Sequence, residues 1–288
     1  MRPLTTYNLI AKRIADDWKL LLSVFVGITI AASLLAGAPV YLRTLERQSI
    51  NIAIERADQT FLNIFAFGAK LPLNRASLDS TAAAIDDSIA DRLSEVYRGS
   101  DRYLKTSTFL VGTPRNPMST EYGTLVSQGY FQQFSGLNDH VTWRSGRMAS
   151  DEVTSGPDGP RLEGVISTFT SSAFGIGLGD QIVFASSISD PVRVTVDIVG
   201  VLEPVDKSDE YWRDSANRLL APQPLGEPVD PGVVIDAEDP PLALFTSYEG
   251  MIAGVGNAYP GILIRSDWLI YIDKQGLTEW SKDETQER

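Results

Sequence analysis

The sequence has no cysteine and only one histidine, His140. Without cysteine the chain can form no disulfide, no thiolate zinc site and no cysteine nucleophile. A Ser-His-Asp triad would have to use His140, and the sequence has no G-x-S-x-G motif to supply the serine. A typical zinc site would need further histidines. Because His140 lies in the polar stretch LNDHVTW, we predict that it is a surface residue.

Basic residues are also scarce, since 25 lysines and arginines stand against 37 aspartates and glutamates, for a formal net charge of −12. Nucleic acid requires a basic footprint, so this balance argues against nucleic acid as the main partner.

The acidic residues form two groups, and neither group has the spacing of a calcium loop. They are Asp206, Asp209, Glu210 and Asp214, and Asp236, Glu238 and Asp239. We interpret both groups as solvated loops, and nothing singles out a carboxylate pair for glycoside hydrolysis. The sequence therefore predicts no catalytic, cofactor-binding or metal-binding residue, no cofactor and no enzymatic activity.

One long uncharged stretch is present, LLLSVFVGITIAASLLAGAPVYL at residues 20–42. In a helix it spans about 34 Å, enough to cross a hydrocarbon core of about 30 Å with some tilt. A cleavable signal peptide ending near Ala36-Gly37-Ala38 is an alternative, but the stretch is longer than usual and Pro39 would follow the cut. A buried core helix is the other alternative. We predict a transmembrane helix.

The charges on either side of this stretch predict its orientation. Four basic residues precede it, and two follow it: Arg2, Lys12, Arg13 and Lys19, then Arg43 and Arg47. By the positive-inside rule, the N-terminus is cytoplasmic and residues 43–288 are extracytoplasmic. Residues 1–19 are amphipathic, which predicts a cytoplasmic helix in the membrane interface or a polar extension of the transmembrane helix. No helix breaker follows the span, so the helix is expected to continue to about Ala57.

Residues 43–288 predict one mixed α+β domain rather than two domains. A helix is expected over 76–98, capped by Ser77 or Asp79 and ended by Gly99. Alternating apolar residues predict a half-buried strand over 191–202, in which Gly200 indicates a bulge or a close backbone approach. Further strands are expected at 105–113, 233–236, 243–248 and 261–273, with a long loop over 203–232.

The glycine-rich stretch FGIGLGDQIVF at 174–184 invites comparison with a phosphate-binding loop. The dinucleotide fingerprint needs G-x-G-x-x-G after a strand and at the start of a helix, and here both the spacing and the order differ. We predict instead that Gly175 ends a short helix, TFTSSAF, and that Gly179-Asp180 turns the chain into a strand over 181–185. No nucleotide site is expected there.

This stretch carries a family resemblance. VISTFTSSAFGIGLGDQIVF followed by VTVDIVGVLEPVDKSDEYW resembles the periplasmic core domain of MacB-type, FtsX-like ABC transporter permeases. The matching elements are Val165–Ser167, Ser171–Phe174, Leu178-Gly179-Asp180, Ile182–Phe184 and Ile198-Val199-Gly200-Val201. About 40 residues carry the motif, and the order of basic helix, membrane helix and outer helix resembles the family as well.

The resemblance implies a permease segment in the cell membrane that works with a cytoplasmic ABC ATPase subunit and pairs with a second permease. Nucleotide would bind to the ATPase, and ATP-driven closure would move the outer domain for export or envelope regulation. Family members have three further transmembrane helices after this domain, so we expect either a fragment of a longer permease or a truncated product, which alone should not transport. The alternatives are a single-span binding or sensor protein and an anchored hydrolase that depends on His140.

Overall fold

The computed structural model describes residues 18–119, 125–212, 234–235 and 240–283. The predicted interfacial helix before residue 18, most of the predicted loop at 203–232 and the second acidic group at 236–239 lie outside these ranges. The chain divides into two units, Met1–Ala57 with Ser281–Arg288, and Asp58–Trp280.

The first unit contains helix α1, Trp18–Arg56, which runs for 39 residues and includes Pro39. Its apolar window has a mean hydropathy of 2.3, and none of it is buried in the structure. The hydroxyls of Ser23, Thr29 and Ser33 each donate to a backbone carbonyl one turn earlier at 2.8 Å. The helix is long and apolar enough to cross a membrane, and its exposure is the opposite of what a core helix shows.

The second unit is rich in strands and begins with the short helix α2, Gln59–Leu62. Its other helices are α3 (Arg75–Arg92), α4 (Thr168–Phe174), a π-helical segment (Gly250–Gly256) and α5 (Lys274–Asp283), of which the first seven residues belong to this unit. The strands are β1 (Ile64–Pro72), β2 (Tyr97–Thr106), β3 (Phe109–Gly112), β4 (Leu125–Phe134), β5 (Val141–Gly146), β6 (Val153–Ser155), β7 (Pro160–Ser167), β8 (Gln181–Ala185), β9 (Val194–Pro204), β10 (Val234–Ile235), β11 (Leu242–Phe245) and β12 (Leu263–Ile272).

Six strands close on themselves into a small barrel in the order β4-β11-β7-β9-β8-β3, because β3 pairs with both β8 and β4. The β4–β11 and β7–β9 pairs are parallel, and the other four pairs are antiparallel. Strands β2, β12 and β1 extend the sheet from β4 as an antiparallel wing. The unit is therefore α+β, with most of its structure in strands.

Four apolar clusters lie in the described part of the strand-rich unit, and the two largest pack against β4. The larger one gathers side chains from all six barrel strands, including Phe109, Phe131 and Phe184. The second lies on the other side of β4 and includes Phe134, Tyr211 and Trp212, the last two fully buried. We call this second group the aromatic cluster.

The predicted strand over 191–202 is confirmed as β9, and its alternation places Val194, Val196 and Ile198 in the barrel core. Gly200 lies at a shift in register against β7, where a Cβ would approach the carbonyl oxygen of Arg147 to 2.3 Å. Both predictions for Gly200, the bulge and the close approach, are therefore confirmed.

The helix predicted over 76–98 is partly wrong. Helix α3 ends at Arg92, and its cap is Asn74, whose side chain accepts from the Ser77 amide at 2.9 Å. Gly99 does not end a helix. It lies in β2 opposite Tyr271 of β12. Backbone pairing with β12 therefore outweighs the helical periodicity of the residues that precede Gly99.

The strand predicted over 105–113 is two strands, β2 and β3, which separate after Thr106. The central strand β4 was not predicted at all. Its sequence, LVSQGYFQQF, carries three glutamines and a glycine and so shows little apolar alternation.

Candidate functional site

The glycine-rich turn at 174–180 has the geometry that its sequence predicts. Gly175 caps α4 in the left-handed conformation with φ 63°, and Gly179 has φ 91°. The carboxylate of Asp180 accepts from the Gly177 amide at 2.7 Å, which closes the turn before β8. The Gly179 amide donates to the Ile198 carbonyl at 2.8 Å. These backbone groups bind each other, so this turn offers no phosphate cradle.

His140 is not the plain surface residue that its polar surroundings predict. Its Nδ1 lies 2.8 Å from a carboxylate oxygen of Asp209, and its ring stacks on Tyr211 with a centroid distance of 3.8 Å. The ring is three-quarters buried because Tyr211 covers one face. The first acidic group is also only partly solvated, since Asp209 and Glu210 both bind other residues.

The acidic residues that the structure describes do not converge on a metal site. Within the described ranges, no group of three or more histidine, aspartate or glutamate side chains could hold a metal ion.

A cleft of about 170 Å³ lies on the outside of the barrel, and three of its charged residues, Arg161, Glu163 and Asp197, form ion pairs. Arg147 binds Glu163 through two hydrogen bonds of 2.6 Å, and the Ser150 amide also donates to Glu163 at 2.8 Å. Beside this pair, Arg161 and Asp197 form a second ion pair. These pairs join β7 to its neighbours and stabilise the barrel wall.

The Glu163 pair predicts a loss of stability in acid. The hydrogen bonds from Arg147 lower the pKa of Glu163 from 4.5 to about 2. Because the pKa is lower in the folded state, the stabilisation is complete above pH 4.5 and is lost as the pH falls toward 2. We expect Glu163→Gln to cost about 2 kcal/mol at pH 7, after allowance for solvent screening, and almost nothing near pH 2. Denaturant unfolding of both proteins between pH 7 and 2 measures this difference.

Glu152→Gln is the matched control, since Glu152 is an exposed glutamate in the same cleft. A Glu163→Gln defect that stayed constant down to pH 2 would show that the stabilisation is not electrostatic.

A further polar site lies where the chain enters the strand-rich unit and where its last strand, β12, ends. We call it the junction, and it consists of Asp58–Asn63, Arg98, Glu210 and Ile272–Asp273. The entering strand β1 and the leaving strand β12 are antiparallel neighbours, with Ile64 opposite Ile270. The first and last strands of the unit therefore lie side by side.

The entering segment, Asp58–Asn63, is tied directly to the end of β12. The Gln59 side-chain amide donates to the Ile272 carbonyl at 2.6 Å, and the Ile272 amide donates to Asn63 Oδ1 at 3.1 Å. Asp58 caps α2 by accepting from the Thr60 amide at 3.0 Å, and this hydrogen bond lowers the pKa of Asp58, with Lys274 adding a smaller effect. Hydrogen bonds to the carbonyl and to the amide of Ile272 therefore fix the entering segment to the end of β12.

Glu210 completes the junction from a distant part of the sequence. One of its oxygens accepts from Asn63 Nδ2 at 3.0 Å, and the other forms an ion pair with Arg98. The guanidinium of Arg98 also lies over the ring of Tyr271, 5.3 Å from its centroid. An acidic residue that the sequence assigns to a solvated loop thus joins the entering segment to β2.

The turn that carries Glu210 inserts the next two residues into the aromatic cluster. Tyr211 donates from its hydroxyl to the Ser135 carbonyl, and the hydroxyl of Tyr103 donates to the Tyr211 carbonyl, both at 2.8 Å. Burial raises the pKa of Tyr211, so its hydroxyl stays a donor. Sequence reasoning did not identify Gln59, Asn63 or Arg98, because single polar residues without a motif give no signal. The aromatic pair Tyr211-Trp212 within an acidic stretch was the one available clue.

No protein-family model matches the chain, and no curated protein matches it. One solved structure with some similarity is a crystal structure of a domain of a protein assigned as a permease from Porphyromonas gingivalis. It is 12% identical, the match covers 72% of this chain and 74% of that chain, and the TM-score is 0.33. A likeness at this level carries no argument about function. The exposed apolar helix, together with the α+β unit that follows it in the chain, indicates a membrane protein.

Proposed function

We propose that the chain is the membrane-spanning segment of an ABC transporter permease of the MacB/FtsX type. In this proposal a cytoplasmic ATPase subunit binds and hydrolyses ATP, and α1 passes the resulting movement to the strand-rich unit on the other side of the membrane. That movement drives export or regulates an envelope partner. The chain itself has no catalytic site and no cofactor, and it pairs with a second permease in the cell membrane.

The observation that carries this proposal is the junction. A domain that is inserted between two membrane segments must begin and end close together, and adjacent ends are what permit such insertions. Here β1 and β12 are neighbours, and Gln59 and Asn63 bind Ile272 across the two ends. A displacement of the entering segment therefore acts on the whole sheet rather than on one loose strand.

The shape of α1 supports the same proposal. The helix does not stop at Leu42, where the uncharged stretch ends, but continues to Arg56. These 14 extra residues add about 21 Å of helix beyond the apolar stretch. Two residues, Ala57 and Asp58, then lead into α2. A short connection of this kind is suited to transmit a push or a rotation from the membrane helix.

The charge distribution supports the topology of this proposal. Four basic residues before the span and two after it favour a cytoplasmic N-terminus and extracytoplasmic residues 43–288.

Purification of the full chain from native membranes tests the proposal. We expect an ABC ATPase to remain bound in mild detergent and to hydrolyse ATP in a vanadate-sensitive manner. An unrelated single-span membrane protein purified in parallel is the control for carry-over. A small molecule or envelope protein that elutes with the chain in the absence of any ATPase would contradict the proposal and support a single-span binding or sensor protein.

A further inference from the structure

One side chain, Asn63, joins three separate parts of the strand-rich unit. It belongs to the entering segment, its Oδ1 accepts from the amide of Ile272 in β12, and its Nδ2 donates to Glu210 at 3.0 Å. Gln59 supports it, with its side-chain nitrogen 3.5 Å from Asn63 Oδ1. An asparagine amide supplies one acceptor and two donors, so this residue type meets both demands at once.

The partner of Asn63 leads directly into the core of the unit. Glu210 opens a single 3₁₀ turn that ends at Trp212. The next residue, Tyr211, packs at ring distances of 5.5 Å from Tyr103 and 6.5 Å from Phe134, and Trp212 lies 6.4 Å from Phe134. Any displacement of Glu210 must therefore move two large buried rings.

The remainder of the segment Val205–Trp212 is held from the opposite side. The Val205 amide donates to the His140 carbonyl at 3.0 Å, and His140 Nδ1 binds Asp209. The Trp212 amide donates to the Asp209 carbonyl at 3.0 Å. The segment is thus a strap with one attachment at His140 and another at the junction.

We propose that Asn63 is the positioning residue that ties the Glu210 turn to the entering segment, so that a displacement of Asp58–Asn63 is passed through this strap to the aromatic cluster. The proposal rests on the proposed function for the source of the displacement. The tie itself depends only on hydrogen bonds within the strand-rich unit.

The substitution Asn63→Asp tests the tie with a minimal change of shape. The aspartate still accepts from Ile272, but it places a second carboxylate against Glu210 and removes the donor. In the double variant N63D/E210Q, the new glutamine can donate to the new aspartate. The hydrogen bond between positions 63 and 210 is then restored with its direction reversed. Asn138→Asp is the control. This substitution adds the same negative charge, and the new aspartate can still accept the hydrogen bond that the Trp143 indole nitrogen donates to Asn138 at 3.0 Å.

Hydrogen–deuterium exchange of the full chain in detergent measures the strap. We expect N63D to speed exchange in the peptide spanning 205–212 by about fivefold or more, because local opening frees the amides of Val205 and Trp212. The N63D/E210Q protein should return to within about twofold of the starting rate, and Asn138→Asp should not change it. Unchanged exchange in N63D, or no recovery in the double variant, would overturn the tie.

A second readout uses the chain purified with its ATPase and a non-hydrolysable nucleotide. The nucleotide should alter exchange in 205–212 in the native chain, should fail to do so in N63D, and should do so again in N63D/E210Q. A response that survives N63D would overturn the transmission through Asn63. If no ATPase is retained, the proposed function fails, and the exchange rates without nucleotide still decide whether Asn63 holds the strap.

Discussion

Replacement of Gly146 with alanine is expected to destabilise the strand-rich unit by about 4 kcal/mol, which is a large part of the stability of an ordinary domain. Gly146 has a φ of 75°, and a Cβ at this position would lie 2.0 Å from the Val199 carbonyl oxygen and 2.8 Å from the Gly200 Cα. The atoms in conflict belong to the backbone of β9, so no side-chain rotation relieves the overlap. Strain from the φ angle and displacement of β9 both add to the cost.

Thermal unfolding of the purified chain, followed by tryptophan fluorescence, measures this effect. A loss of about 4 kcal/mol corresponds to a fall of roughly 10 °C in the melting temperature of a unit of this size.

Two nearby glycines provide matched controls that separate space from backbone angle. Gly179 has a φ of 91° with no atom near its Cβ position, and Gly177 has open space without a positive φ. We expect Gly179→Ala to cost about 1 kcal/mol and Gly177→Ala less than about 0.5 kcal/mol. If Gly146→Ala is no worse than Gly179→Ala, then β9 can shift at little cost and the close approach does not hold the barrel wall.

Replacement of Phe131 with alanine is the second change with a large expected effect. Phe131 is fully buried on β4, and its ring lies 5.6 Å from Phe109 of β3 and 4.3 Å from Phe184 of β8. These three strands include the pairings that close the barrel. Removal of the ring leaves a cavity where the closing strands meet, and such substitutions cost about 3–5 kcal/mol.

The same thermal unfolding assay applies, with Phe169→Ala as the control. Phe169 is 46% exposed on α4, so its loss is expected to cost less than about 1 kcal/mol. Phe131→Leu should fall between the two, because leucine fills part of the cavity. Equal melting temperatures for the Phe131→Ala and Phe169→Ala proteins would mean that the barrel does not close around Phe131.

The parts of the fold that could be predicted are those with a local physical cause. Helix α1 follows from a long uncharged run, because each residue in a membrane-spanning helix meets the same apolar surroundings. Strand β9 follows from alternation on a half-buried sheet, and the turn at Gly175–Asp180 follows from the conformations that only glycine adopts easily. Each of these signals lies within one continuous stretch of the sequence.

Errors arose where residues distant in the sequence compete for the same segment. The apolar helical pattern runs to Val96 and predicts a helix to residue 98, but Tyr97 and Gly99 pair with Ile272 and Tyr271 of β12, and β2 forms instead. Strand β4 has weak alternation because it is covered on both faces, by the barrel core at Phe131 and by the aromatic cluster at Phe134. A strand that is buried on both faces does not alternate between apolar and polar residues, so its sequence lacks the usual strand signal.

The candidate site was outside the reach of sequence reasoning for the same reason. Asn63, Arg98 and Glu210 are ordinary polar residues, and only the pairing of β1 with β12 and the insertion of Tyr211 and Trp212 bring them together. The charge of Glu210 predicts a solvated loop, because the sequence does not show that its carboxylate binds Asn63 and Arg98.

By itself the sequence determined that a long apolar helix precedes an acidic α+β region without cysteine, and that the glycine-rich turn serves the backbone rather than a phosphate. Hydropathy, alternation and glycine φ preference are properties of neighbouring residues, so they can be read along the chain. Closure of the barrel, the adjacency of the two ends of the strand-rich unit and the link from Asn63 to the aromatic cluster were decided only by the tertiary structure. They depend on hydrogen bonds and packing between segments that lie far apart in the chain, and such contacts are specified only once the whole sheet has formed.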